Sequence, residues 1–292
     1  MEEKRAIDGV GAAALIGFAT LLAFNQVVIK VTADGFNPVF QAGVRSVLGL
    51  GVLVLWWLIR RPDLGPNSRA IAFWGVITGL LFAFEFICLF LALDVTTVSR
   101  ASILFYSMPV WLALVAHFLL PGERLTGPRI VGLALAMGGV GLAMLDRSGG
   151  DASLLGDALA LTATLGWAAI ALCLRLSPLS RIPPITQLIW QLAISGPIIL
   201  MVAPLFGPAT RNVEAWHYGS LAFQAIAVAS LGYLAWFQLL KIYRASAVAS
   251  FSFLSPVLAV VMGWALLDER IGFQVWVALA LVAAGVFLIN RR

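Results

Sequence analysis

SRASILFYSMPVWLALVAHFLLPGERLTG, residues 99–127, returns in altered form as SAVASFSFLSPVLAVVMGWALLDERIG, residues 246–272. A shift of 147 positions superposes Ser99, Tyr106, Pro109, Val110, Leu119 and Leu120 on Ser246, Phe253, Pro256, Val257, Leu266 and Leu267. One deletion later, at a shift of 146, Glu123, Arg124 and Leu125 fall on Glu269, Arg270 and Ile271, and Gly139 and Val140 on Gly285 and Val286. A helix, a loop and a helix recur, so the chain reads as two copies of one unit, residues 1–148 and 149–292.

The solvent of both copies follows from composition. Hydrophobic residues make up 61% of the 292 and charged residues 11%, with a mean hydropathy of +0.98, too little polar surface to cover a water-soluble fold. A bilayer core of about 30 Å asks for roughly 20 apolar residues per helix, and nearly the whole chain falls into such runs. An all-α polytopic membrane protein of ten transmembrane helices follows. Helix one runs to Val31, two over Pro38–Ile59, three over Ala70–Leu93, four about Thr96–Leu120 and five to Leu145. The second copy supplies Leu154–Leu174, Pro184–Pro204, Tyr218–Tyr243, Ser246–Leu267 and Ile271–Ile289, with residues 146–156 as the linker. Pro109 and Pro256 fall in helices four and nine, where the lost backbone bond predicts kinks.

Charge sets topology. With the N-terminus cytoplasmic, thirteen of the nineteen Lys and Arg share its side and only Arg100, Arg147, Arg211 and Arg270 face the other, which places both termini in the cytoplasm. Five spans per copy is an odd number, so the second copy enters the membrane from the opposite side. Such inverted repeats exchange conformations about a central site and open it to alternate sides. The net charge of +5 marks topology rather than nucleic-acid binding, and Cys88 and Cys173 lie in spans where packing explains them, with no metal or cofactor implied.

Polar side chains inside spans are the candidates for the site. Gln41 and Arg45 in helix two correspond to Gln187 and Gln191 in helix seven, and each pair, four residues apart, shares a helix face. They read either as pore-facing or as interhelical hydrogen bonds. Glu85 is the one acidic residue deep in a span, at the depth of Arg45. The two read as a structural ion pair, or Glu85 as a proton-coupling group and Arg45 as a dock for a substrate carboxylate. Asn25, Gln26 and Lys30 add polarity on helix one, with Lys30 near the outer end and expected to snorkel to the interface. Ser102, Tyr106 and Pro109 share a face of helix four, echoed by Phe253 on helix nine; Phe86 and Phe90 are echoed by Tyr233 and Phe237. With Trp167 and Trp190 mid-span, these aromatics read either as a cage for a flat or apolar side chain or as ordinary packing.

Thr96–Ser102, Met108–Val110 and Gly122–Thr126, with their echoes Ser255–Val257 and Asp268–Gly272, resemble the EamA-type repeat of the drug/metabolite transporter superfamily. Within it the chain looks most like the YddG-type exporters of aromatic amino acids. The resemblance implies a ten-helix transporter with a central cavity that exports small metabolites. No phosphate-binding Gly-x-x-x-x-Gly-Lys, His-Glu-x-x-His or Gly-x-Ser-x-Gly run occurs, so enzyme chemistry is not expected. The expectation is a secondary or facilitative exporter of small amphipathic metabolites, aromatic amino acids first, working by alternating access. It would sit among the lipids of a bacterial inner membrane, as a monomer. A channel, a structural membrane protein, or an exporter of nucleosides, sugars or cationic drugs are the alternatives.

Overall fold

The computed structural model describes residues 8–119, 125–145, 153–243, 251 and 254–290, leaving out the side chains of Phe237, Leu240, Lys241 and Asn290. The helices α1 (Gly9–Thr32), α2 (Pro38–Arg60), α3 (Arg69–Val95), α4 (Val98–Phe105), α5 (Met108–Leu119) and α6 (Gly127–Leu145) form the first half. The second holds α7 (Leu154–Leu176), α8 (Pro184–Val202), α9 (Ala215–Phe223), α10 (Tyr233–Ile242), α11 (Leu254–Leu267) and α12 (Phe273–Asn290). Among the described residues eight helical stretches are long and apolar enough to cross a membrane, and two shorter apolar ones, Leu254–Leu267 and Phe273–Ile289, bring the total to ten.

Helix starts are chemically marked. Asn37 accepts from the amides of Val39 and Phe40 ahead of Pro38, Ser68 caps α3, Thr97 caps α4 and Ser153 caps α7. The fourth span is two helices, because the i→i−4 ladder ends at the Tyr106 amide and Ser107 turns back to Leu104 instead, two residues before Pro109 in the first turn of α5. In the eighth span a wide π segment, Gln224–Gly232, joins α9 to α10 in place of the expected continuous helix. Ser230 Oγ donates to the Ala225 carbonyl five residues back (2.7 Å) and to Gly49 of α2 (3.1 Å), tying the widened turn to its neighbour.

Repeat symmetry is visible in side-chain-free contacts. A methyl placed on Gly132, early in α6, would strike the carbonyl of Gly285, late in α12, and one on Gly139 would strike that of Ala278. Moving each residue of the first contact to its partner 146 positions away yields the second. The equivalent helices α6 and α12 thus cross antiparallel about a pseudo-two-fold axis, and the two five-span repeats are inverted. Helices α2 and α8 cross likewise, Gly43 against Leu200 and Gly196 against Val47.

The bundle has two ends, named here for Asp34 (after α1) and Arg60 (end of α2). At the Asp34 end the connections are knitted together. Phe36 and Thr210 form a β-bridge, Arg211 N–H donates to the Gly35 carbonyl, and the Arg211 guanidinium grips both Asp94 oxygens at 2.7 and 2.9 Å. Lys30 reaches to the end of α3: its ammonium donates to the carbonyls of Leu93 (3.1 Å) and Thr96 (2.7 Å), where the C-terminus of α3 leaves acceptors unpaired and concentrates negative charge. Lys30→Met is expected to lower stability by about 1 kcal/mol, read from thermal unfolding in detergent.

Candidate functional site

A cavity of about 320 Å³ lies between α1, α2, α3, α7, α8, α11 and the fourth and eighth spans. At the Arg60 end its wall reaches Pro184, the first residue of α8, and Leu174 near the end of α7. Toward the Asp34 end it stops at Gln26, Arg45, Leu89 and Phe105, each at least six residues, or about 9 Å of helix, short of the helix terminus. The site is therefore blind at the Asp34 end.

Its walls are apolar and aromatic. Phe105 and Trp167 stack at 4.9 Å with planes 19° apart, and Tyr106 stands edge-on to Trp167 at 6.2 Å. Phe82 and Phe86 close the α3 side, with rings 4.5 Å apart. Nearer the Arg60 end, Phe18 stacks on Trp236. The helix break at Tyr106 and Ser107 turns α4 so that Phe105 and Tyr106 both reach this space.

The blind end is polar. Arg45 and Glu85 line it at 2% and 3% exposure, near enough to act on each other electrostatically but with no nitrogen–oxygen contact within 4 Å. Arg45 Nε and Nη1 and Glu85 Oε2 have no hydrogen-bond partner, nor have Asn25 Oδ1 and Gln26 Oε1 beside them. The Arg45 guanidinium lies 4.4 Å over the Phe86 ring and 5.7 Å from that of Phe90, a cation–π shelf that fixes it without spending a donor. Gly166 of α7 faces Glu85; lacking a side chain, it lets α7 approach α3 at this depth.

Of the residues singled out in the sequence, Asn25, Arg45, Glu85, Phe86, Tyr106, Trp167, Gln187, Gln191 and Tyr233 line this one cavity. Gln41 does not. Its amide donates to the Ile29 carbonyl and to Gln224, which in turn donates to Thr32, so it joins α2 to α1 and the π segment. Ser102 is buried in α4 away from the lining, and Trp190 packs over Gly75 with Ile71 and Leu179. Gln187 reaches the cavity while donating to the Leu179 carbonyl (2.8 Å). Phe253 and the Phe237 side chain lie outside the described residues, as does the loop at Glu123. Pro109 and Pro256 stand in the first turns of α5 and α11. Sequence reasoning missed Phe82, Phe105, Trp236 and Ser255. Apolar residues on apolar spans carry no signal of their own, and Ser255 corresponds to Met108, so the repeat could not mark it.

The model of the EamA-like transporter family matches residues 9–145 and 154–291. A protein of Escherichia coli (strain K12) named "Probable amino-acid metabolite efflux pump" is 28% identical over 292 aligned positions, covering 96% of this chain and 94% of that one. The transporter YoaV of Bacillus subtilis (strain 168) is 25% identical over 282, covering 94% of each. One crystal structure superposes with a TM-score of 0.65 over 95% of this chain and 97% of that one, at 19% identity, a likeness of fold.

Proposed function

The chain belongs to the EamA-like transporter family, and on that premise we propose that it exports small amphipathic metabolites, aromatic amino acids first, by alternating access between its inverted repeats. The observation that carries this reading is a single cavity with stacked aromatic walls and an unpaired ionic pole at its blind end. An aromatic wall suits a flat side chain; an ionic pole inside a membrane favours a ligand that brings charges of its own. The printed name of the Escherichia coli relative points to the same class of cargo.

Placing both termini in the cytoplasm, as the Lys and Arg distribution directs, makes the Asp34 end external and the cavity open to the cytoplasm. A cytoplasmic amino acid enters beside Trp236, docks at the blind end, and leaves when the halves rock and the Asp34 end opens. The driving force is the substrate's own gradient or that of a coupled ion. The setting is the bacterial inner membrane, with the single chain as the working unit.

Uptake of radiolabelled Phe, Trp and Thr into proteoliposomes tests this. Saturable movement of Phe and Trp, accelerated by unlabelled substrate inside and weak for Thr, is expected; no movement of any of the three would overturn the aromatic reading. Trp167→Ala, which removes the stacked wall, is expected to weaken Phe binding by up to about tenfold, checked by competition against labelled Phe.

A further inference from the structure

Resting on that reading, we propose that Arg45 and Glu85 divide the two charges of a zwitterionic α-amino acid between them. Arg45 takes the carboxylate; Glu85, with Asn25 and Gln26, takes the ammonium. The inventory of unpartnered atoms matches such a ligand. Two donors, Arg45 Nε and Nη1, lack a partner on a residue that lines the cavity, the number that the two oxygens of a carboxylate can accept from. Three acceptors, Glu85 Oε2, Asn25 Oδ1 and Gln26 Oε1, lack a partner on residues that line the same cavity, the number of hydrogens an ammonium donates. Buried polar atoms are ordinarily satisfied, so five unsatisfied ones of complementary kind on one cavity mark a place completed by a ligand. The assignment belongs to the first repeat alone, since the counterpart of Arg45 is Gln191 and that of Glu85 is Gly232.

A ligand carrying only one charge would leave the opposite group buried and unpaired. In the wild-type protein, 3-phenylpropionate, 2-phenylethylamine and phenylalanine amide are expected to compete with labelled Phe at least about 30-fold less well than Phe itself. Arg45→Gln should bind Phe and its amide alike while still rejecting phenylpropionate, and Glu85→Gln should show the reverse. Equal competition by the one-charge analogues in the wild type, which needs no variant to fold, would overturn the proposal, as would loss of both discriminations in either variant. If Phe neither binds nor moves, the exporter reading fails; if Phe moves and the analogues compete equally, only the division of charges fails.

A different observation carries a second inference. Glu269, in the connection between α11 and α12 of the second repeat, accepts from the amides of Val98 (2.6 Å) and Ser99 (3.0 Å) and from Ser99 Oγ (2.5 Å) at the start of α4 in the first repeat. Glu269 is 8% exposed, and its carboxylate satisfies amides that a helix start leaves unpaired. Gly263 is packed so closely that an added methyl would strike both Glu269 and Ser99. The contact crosses between the repeats at the Asp34 end of the bundle, beyond the blind end of the cavity. We infer that it is the latch that holds the Asp34 end shut and must break for release.

The test places a cysteine at Ser255 on the cavity wall, in a background where Cys88 and Cys173 are replaced by serine, and follows its labelling by a membrane-impermeant thiol reagent from each side. Glu269→Ala is expected to raise labelling from the Asp34 side by about tenfold and to lower it from the other. A rise on both sides, which simple loosening would produce, overturns the latch, and so does no change. Independently, Ser99→Cys with Glu269→Cys, once oxidised, should stop transport reversibly while leaving binding from the Arg60 side intact; transport unaffected by the crosslink would overturn it.

Discussion

Asp157→Ala is expected to lower stability by about 3–5 kcal/mol. Asp157, in the first turn of α7, faces Arg100, in the first turn of α4, with Arg100 Nη2 at 2.5 Å and Nε at 3.1 Å from its two oxygens. Both residues are buried, Arg100 at 4% and Asp157 at 0% exposure. Pairing within such a site returns little over an apolar equivalent, but deleting the carboxylate removes two charge-assisted hydrogen bonds from a guanidinium that water barely reaches. Thermal unfolding and size-exclusion profiles in detergent measure the loss. Arg100→Leu combined with Asp157→Leu should recover most of it, because no charge is then left behind. A single variant as stable as the wild type would show that Arg100 is held by something other than this carboxylate.

Gly285→Leu is the second large effect. A Cβ at this position would sit 2.5 Å from the Gly132 carbonyl oxygen and 2.7 Å from the Ala136 backbone nitrogen, and backbone cannot retreat as a flexible side chain does. The α6–α12 crossing must open, at a cost of at least about 1–3 kcal/mol. Gly138→Leu is the control: nothing lies within 4 Å of its Cβ position, so a change within about 0.5 kcal/mol is expected. Equal melting temperatures for the two variants would refute the close crossing as the point where these helices bind each other.

These two glycines show where legibility stops. By helical spacing Gly132 and Gly139 share one face and Gly138 and Gly141 another, both small enough for close packing, and the sequence does not say which face meets a neighbour. In the fold Gly132 and Gly139 touch α12 while Gly138 and Gly141 face open space. The same division runs through the polar residues. Gln41 and Arg45 share a helix face, yet Gln41 is spent on interhelical hydrogen bonds and Arg45 lines the cavity.

Determined by the sequence alone were the membrane setting, the ten spans, the two repeats and their inversion, and a short set of polar and aromatic residues from which the cavity draws much of its lining. Hydropathy and repeat spacing are properties of the chain read in one dimension, and an odd number of spans settles the inversion by counting. Only the tertiary structure decided that Arg45 and Glu85 share one cavity without a direct salt bridge, that Lys30 and Glu269 cap helix ends, that Arg100 pairs with Asp157, and that the cavity is blind at one end. Each of these depends on the rotation and crossing of helices distant in the chain, and helical periodicity says which residues share a face without saying which neighbour that face will meet.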